Sequence, residues 1–384
     1  VAGSGASHEA GSRAGAASRP DAVVLVLSTV HQADDPRLRY RTVAVVAADG
    51  PVRYATRPPA PATVDDHEWR ALPGGRPRRW LAAVREAWRR DVALVSVHDP
   101  ELIPLALATR YLRRRPVIVD VHEDVPAQIA TKAWLPRPLR RPLAWLAAGL
   151  LRAAERGCVV TLAEPNYADR FRRAHPVLPN YPDPASLPQA APSDGWFVYV
   201  GDVTEVRGAR LAVAAVGRLE PPRRLRLIGR CASDLATVLR ADADAHDVEL
   251  DLPGFVPHPH AMARVATAEA GLSPLADIPN YRRSLPTKTL EYLGAGVPVV
   301  ASDLPGTREV VGDLPGVRLV AAPGPGPPAP HDVQSWAEAL RAVRADPGVR
   351  ARALTGRDAV RARFAWPSTH LRRIYADART THGR

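Results

Sequence analysis

Lys288 and Glu291, three residues apart within Pro279–Gly306, carry the plainest chemistry in this chain. The stretch reads as loop, short helix, glycine stop, buried strand and loop. Ser284 is placed to cap the helix from outside, and Pro286 to occupy its first turn, where a missing N–H costs nothing. Leu290 and Leu293 then share one side, and Gly294 with Gly296 end the helix. Such a helix start is an anion site, because free N–H groups point outward and the dipole adds positive charge. Lys288 adds a full charge there. Glu291 lies on the same face, roughly 5.4 Å deeper along the axis. Its carboxylate could accept hydrogen bonds from both hydroxyls of a ribose whose phosphates sit at the helix start. The competing reading is a surface Lys–Glu pair on an ordinary helix. Val297–Ala301 follows as an apolar, β-branched run, the expectation for a parallel strand covered on both faces.

The first half of the chain places two histidines where an α/β sheet presents its ligands. Val92–Val97 reads as a strand ending in His98-Asp99-Pro100-Glu101-Leu102, and helix Ile103–Arg113 follows. Strand Val117–Val121 then ends in His122-Glu123-Asp124. Strand, helix and strand make a βαβ unit, and ligands bind beyond the carboxyl ends of such strands. A single histidine there is more often structural, so the pair matters. Asp120, Glu123 and Asp124 invite a metal reading. Carboxylates at loop starts commonly cap helices instead, and no metal site is expected. In the second half, strand Trp196–Val200 runs into Gly201-Asp202 and Arg207-Gly208 before helix Ala209–Leu219. Glycine between strand and helix is phosphate-loop architecture, although this is not G-x-G-x-x-G.

Taken together, these segments resemble the retaining glycosyltransferases of family four. The family pattern P-x-K-x-x-E-Y-x-x-x-G-x-P-V-V-A-S is matched from Pro286 to Ser302. Val97–Leu102 and Asp120–Asp124 match (V/F)-H-D-P-E-L and D-V-H-E-D. Tyr199–Gly208 resembles Y-V-G-x-(I/L)-x-x-x-(R/K)-G, with Val203 at the I/L position, and Gly254–His258 resembles G-(Y/F)-V-x-(H/x), a loop whose backbone cradles the base. The resemblance covers nearly all of residues 21–380. It implies the α/β GT-B fold: two Rossmann-like domains whose parallel sheets face a central cleft.

The implied reaction moves a sugar from a nucleoside-diphosphate sugar to an acceptor hydroxyl with retention, without metal or further cofactor. Hexosyl or N-acetylhexosaminyl transfer in polysaccharide, glycolipid or natural-product synthesis is the expected setting. The resemblance implies a catalytic set of His122, Arg207, Lys288 and Glu291. Donor contacts fall on Gly201, Arg207, Val256, Ser284, Pro286, Thr287, Lys288, Leu290 and Glu291. His98, Asp99, His122 and Glu123 are implied on the acceptor or transferred-sugar side. Two positions depart from the pattern. Arg283 stands where many members carry the first Glu of Glu-x7-Glu, and Asp202 where many carry a second phosphate-binding Arg. A non-catalytic nucleotide-sugar binder is the alternative these departures favour. A nucleotide-sugar 2-epimerase is a lesser one.

Composition narrows the partners. The 384 residues carry 52 Lys and Arg against 40 Asp and Glu, a net charge of +12. Such a charge suits nucleic acid, an anionic membrane face or anionic small substrates. No basic run is interleaved with aromatics and no zinc-spaced Cys/His set occurs, so nucleic acid is not expected as a partner. Cys158 and Cys231 lie far apart without C-x-x-C, as thiols in a reducing compartment do. Residues 1–20 lack the apolar core of a signal peptide and read as a disordered tail. The expectation is a cytoplasmic protein with peripheral membrane contact. Residues 132–156 are basic, with Trp134, Trp145 and several leucines, a composition suited to a membrane surface and a lipid-linked acceptor.

The elements fall into two domains. Ala22–Leu27 reads as the first strand and Thr42–Ala47 as the second, an interval too short for the usual crossover helix. The first domain is therefore expected to lack its usual first helix, with Pro58–Arg79 irregular. It spans 21–181 and is completed by a C-terminal helix at about 365–384. Residues 182–195 form a Pro/Ala/Ser-rich linker, and 196–364 the donor domain.

Overall fold

The computed structural model describes residues 22–61, 67–131 and 135–380. Its first sheet contains β1 (Val23–Gln32), β2 (Val52–Arg57), β3 (Glu68–Ala71), β4 (Val92–Val97), β5 (Val117–Val121) and β6 (Val159–Leu162). The second contains β7 (Phe197–Val200), β8 (Arg224–Ile228), β9 (Glu249–Gly254), β10 (Ala270–Ser273), β11 (Val299–Ser302) and β12 (Val317–Val320). All pairings are parallel, in the orders β3-β2-β1-β4-β5-β6 and β12-β11-β10-β7-β8-β9. Counted from its own first strand, each sheet has the doubly wound order in which ligands bind where the order reverses. Those reversals lie between β1 and β4 and between β7 and β10. They set His98 at the end of β4, His122 one strand further at the end of β5, and Gly201 at the end of β7.

The strands are apolar on both faces because helices cover both. Leu25 and Leu27 of β1 face a cluster with Val95, Val97, Ile103 and Leu151, whereas Val24 and Val26 face one with Leu38, Val43 and Tyr54. Trp366 and, from helix Ser368–Thr380, Leu371, Ile374 and Tyr375 join that second cluster, so the chain's last helix packs on its first sheet.

Two expectations are corrected here. Thr42–Ala47 is not a strand, and the first helix is not missing. The interval from β1 to β2 is helical: a π-helical stretch Pro36–Val43 continues through Ala44–Val46 into a 3-10 turn Ala47–Asp49. Asp35 starts it by accepting the amides of Arg37 and Leu38 at 3.0 and 3.2 Å, with Pro36 in the first turn. Leu38, Val43 and Val46 then form one buried side. The β-branched run favours a strand locally, but burial against the last helix overrides that preference. Within Pro58–Arg79, β3 pairs with β2 and helix Arg76–Ala87 begins, so the segment is irregular only in part.

Residues 182–195 lie against the second sheet's unit. Leu187 is buried in its core, and the amides of Ala191 and Asp194 donate to the carbonyls of Ala266 and Thr267 at 2.9 and 2.8 Å. Residues 1–20, Lys132, Trp134 and the end of the chain beyond Thr380 lie outside the described residues.

Candidate functional site

On the second sheet, two cations converge on one glycine. Gly201 leaves β7 with φ of +134°, a backbone conformation that side chains rarely adopt. A Cβ added there would lie 3.4 Å from Lys288 Nζ and 3.6 Å from Arg207 NH1. Gly208 (φ +75°) has no room for a side chain either, since a Cβ would stand 2.2 Å from the Pro274 carbonyl oxygen. That close approach lets helix Ala209–Val216 start against the end of β10. Lys288 Nζ is buried with no hydrogen-bond partner, 3.9 Å from the centre of the Tyr199 ring. Burial, reinforced by the charge of Arg207, holds its pKa well below the usual lysine value. Arg207 Nε is tied loosely to the Tyr281 hydroxyl at 3.4 Å.

The helix bearing Lys288 is Thr287–Gly294. Its cap differs from the expectation. Pro286 itself is the cap, and its carbonyl accepts the amide of Leu290 at 3.2 Å and the Thr289 hydroxyl at 2.6 Å. Ser284 does not cap; its hydroxyl donates to the Tyr281 carbonyl at 3.2 Å, because Leu285 and Pro286 carry the chain past it. The Thr287 amide turns back to the Leu285 carbonyl. The Leu290 side chain is fully buried among Leu293, Val299 and Met262, so it supports the helix and cannot touch a ligand. Val256 is half-buried and packs on the same core.

Glu291 is buried, and two residues reach one of its oxygens. His258 Nε2 lies 3.0 Å and Arg41 NH2 3.1 Å from Oε1. Burial opposes its charge, but His258, Arg41 and Lys288 together hold the carboxyl below the usual glutamate range. Arg41 comes from the helical segment after β1, so this contact crosses from the first sheet's unit to the second. A second crossing is the Leu285 amide, which donates to Glu164 Oε1 at 3.2 Å.

On the first sheet, His98 and His122 are brought together on Asp120. His98 Nδ1 and His122 Nε2 lie 3.0 Å apart, and 3.2 and 3.0 Å from Asp120 Oδ2. Arg37 forks onto both oxygens of Asp120, with Nε at 3.0 Å and NH2 at 2.8 Å, and the Thr161 hydroxyl donates at 2.8 Å. The three converging ligand atoms have a spacing that a metal could use. Arg37 already occupies both carboxylate oxygens, so a cation there would face a guanidinium. Behind it, the Tyr375 hydroxyl donates to Ser96 Oγ at 2.7 Å, which lies 3.2 Å from His98 Nε2. His122 is pushed down to about 4, by burial first and then by the charge of Arg37 against the opposing pull of Asp120. It is therefore neutral near pH 7, with one ring nitrogen free to donate and the other to accept a hydrogen bond.

Asp99 stands on the cavity beside His122, with its carboxylate also engaged by the backbone at the end of β1. It accepts the Thr29 amide at 2.5 Å, the Val30 amide at 3.1 Å and the Ser28 hydroxyl at 3.0 Å, bracing the end of β1. Glu123 is exposed beside His122, on a cavity of about 280 Å³ that His31, His98, Glu101 and Gln128 also line. Asp124 caps helix Val125–Thr131 through the Ala127 amide.

Sequence reasoning missed His31, Arg37 and Arg41, and read His258 only as the end of a base-cradling loop, not as a partner of Glu291. His31 is 2.8 Å from Asp35 and its rings approach His122 at 6.0 Å. Burial works against its charge, yet Asp35 and Asp99 raise its pKa to about 9. The available signal was Arg37, Arg39 and Arg41 at alternate positions directly behind the Asp-Asp-Pro cap.

Residues 194–346 match a protein family described as glycosyl transferases group 1. The chain is 29% identical over 184 residues to D-inositol 3-phosphate glycosyltransferase of Xylanimonas cellulosilytica, a match covering 47% of this chain and 42% of that relative. Among solved structures, sucrose-phosphate synthase of Thermosynechococcus elongatus superposes with a TM-score of 0.70 at 17% identity, covering 92% of this chain and 98% of the other. Anabaena HepE, solved with UDP and glucose, superposes with a TM-score of 0.67 at 15% identity, covering 94% and 99%. The chain thus has the GT-B glycosyltransferase fold, and its second sheet lies within the stretch that matches the group 1 glycosyl transferases.

Proposed function

We propose that this protein transfers a sugar from a nucleoside-diphosphate sugar to an acceptor hydroxyl, retaining the anomeric configuration and using no metal. The observation that carries the reading is the convergence of Lys288 Nζ and Arg207 NH1 on Gly201, with Glu291 one turn deeper on the same helix. A diphosphate at Gly201 would meet both cations and the start of helix Thr287–Gly294, and its ribose would reach Glu291. Charge that grows on the leaving diphosphate is then stabilised by groups already in place, usually the largest catalytic contribution. His122, neutral and oriented by Asp120, would face the transferred sugar across the cleft, and the cavity beside it would take the acceptor. In this scheme 21–181 with 365–384 is the acceptor domain, 196–364 the donor domain, and 182–195 the connection about which they close.

The helical segment after β1 is in place, which removes one argument for a decayed enzyme. Arg283 and Asp202 remain as departures from the family pattern. A nucleotide panel tests the reading: UDP, GDP, ADP, CMP and dTDP against wild type and Glu291→Gln, followed by thermal shift. One nucleoside diphosphate is expected to stabilise wild type by about 2.7 kcal/mol at 100 times its dissociation constant, with most of that gain lost in the variant. A wild type that no nucleotide stabilises would sink the donor site.

The acceptor proposal extends to a lipid surface. Among the described residues no helix is long and apolar enough to cross a membrane. Helix Arg137–Gly157 instead exposes Trp145 (82%), Leu146 (60%) and Leu139 (49%). Arg137 and Arg141 are exposed on its first turns, the pairing of apolar and basic groups that an anionic bilayer attracts. Vesicles with anionic lipid are expected to sediment the protein. Trp145→Ser with Leu146→Ser should weaken that binding about tenfold or more, and retention of full binding in the double variant would remove the membrane reading.

A further inference from the structure

We propose that Arg41 and His258 are positioning residues for Glu291, and that Arg41 makes ribose recognition depend on the two halves of the molecule being together. The proposal rests on the reading of Glu291 as the ribose ligand. Arg41 NH2 and His258 Nε2 both converge on Oε1, at 3.1 and 3.0 Å. Oε2 carries neither contact. A carboxylate held by one oxygen presents the other in a fixed direction, which is what two vicinal hydroxyls require of an acceptor.

The guanidinium is itself held from several sides. Its NH1 donates to the side chain of Asn180 and lies 3.3 Å from the Asn180 carbonyl oxygen. The Trp366 indole donates to the Arg41 carbonyl at 3.2 Å, and the Trp366 amide donates to the Pro182 carbonyl at 3.0 Å. The chain that orients Glu291 therefore runs through the start of the connecting segment and the approach to the last helix. The Tyr40 ring sits 6.4 Å from that of His258 on the other side. An arginine suits this place because its planar fork can bond two elements at once, which a lysine cannot reproduce. Arg41 lies on the first sheet's side and Glu291 on the second's. When the halves separate, Oε1 loses Arg41 and the carboxylate loses one of its two restraints. Ribose affinity should then fall in the open form and rise on closure.

A coupling measurement separates this role from a merely structural one. UDP, GDP and ADP are titrated into wild type, Arg41→Met and Arg41→Lys, each alongside its 2′-deoxy counterpart. Wild type is expected to lose about tenfold in affinity with the deoxy form of whichever nucleotide binds. In Arg41→Met the deoxy and ribo forms should bind within about twofold of each other, because the hydroxyl no longer meets an oriented acceptor. Arg41→Lys should keep only part of the wild-type discrimination, and it carries the test if the methionine variant does not fold. Undiminished discrimination in both variants would overturn the proposal while leaving the donor site standing. Tighter nucleotide binding by Arg41→Met would also overturn it, since Arg41 would then compete with the ribose. If wild type binds a nucleotide but does not distinguish ribose from deoxyribose, the ribose role of Glu291 fails, and this proposal with it. Absence of binding by wild type would remove the donor site altogether.

Discussion

Lys288→Met is expected to raise the melting temperature of the ligand-free protein while lowering sugar transfer about 10²–10³-fold. Both effects come from one ammonium group. Lys288 Nζ is buried, has no hydrogen-bond partner and rests on the face of Tyr199 beside Arg207. A buried polar group without a partner costs roughly 1–3 kcal/mol, and a cation–π contact offsets only part of that. Methionine fills similar space without the charge, so the ligand-free fold should gain stability on that scale. The lost activity is expected from the role proposed for the ammonium, meeting a diphosphate whose charge grows in the transition state.

The pH dependence follows from the sign of the shift. Lysine with a depressed folded pKa binds more protons when unfolded than when folded, between that pKa and its ordinary 10.5. Stability of wild type therefore rises with pH across that window, and Lys288→Met should flatten the rise. Scanning calorimetry over pH, with turnover measured in parallel, checks both halves. A destabilised Lys288→Met protein, or one with undiminished transfer, would contradict this account of the site.

Asp120→Ala should cost about 3–5 kcal/mol of stability, the penalty for stranding a buried guanidinium. Arg37 and Asp120 are both nearly buried, at 5% and 7% side-chain exposure, and the fork between them is bidentate. Asp120 is also the acceptor that both histidines share. Although burial opposes its charge, Arg37 and His122 hold its pKa well below the usual 3.8. This carboxyl is depressed in the folded state, so its contribution is present above about pH 3.8 and fades as pH falls through the folded value. Urea unfolding of wild type, Asp120→Ala and the double variant Arg37→Met/Asp120→Leu decides the matter. The double variant should recover more than half the loss, because both charges leave together. A cost below about 1 kcal/mol for Asp120→Ala would show that the pair is solvated, and that His122 is oriented by something else.

The helix bearing Lys288 and Glu291 was legible because its signals are local. Gly294 and Gly296 end it, Pro286 starts it, and the spacing of Lys288 and Glu291 puts both on one face within a few residues. The glycines at 201 and 208 are legible for the same reason, since a backbone that must approach another closely tolerates little else. The βαβ order likewise follows from β-branched runs separated by helical ones, and it fixes where strand ends meet the cleft.

Tertiary structure decided the rest. Whether Thr42–Ala47 became strand or helix depended on the last helix, more than three hundred residues away, whose Leu371 and Ile374 bury Val43 and Val46. The partners of the chemical groups are equally remote. Arg41 meets Glu291 across 250 positions, and Arg37 meets Asp120 across 83. No periodicity or spacing encodes such pairs, because the interaction energy of two charges depends on their separation in space and on the dielectric around them. By itself, then, the sequence determined the two parallel sheets, the helix that carries Lys288 and Glu291, and the histidines at strand ends. Which carboxylate Arg37 pairs with, and which lysine is left without a partner, were settled when helices packed on each sheet, and the Arg41 contact to Glu291 only when the two halves met, since only then do burial and proximity take values.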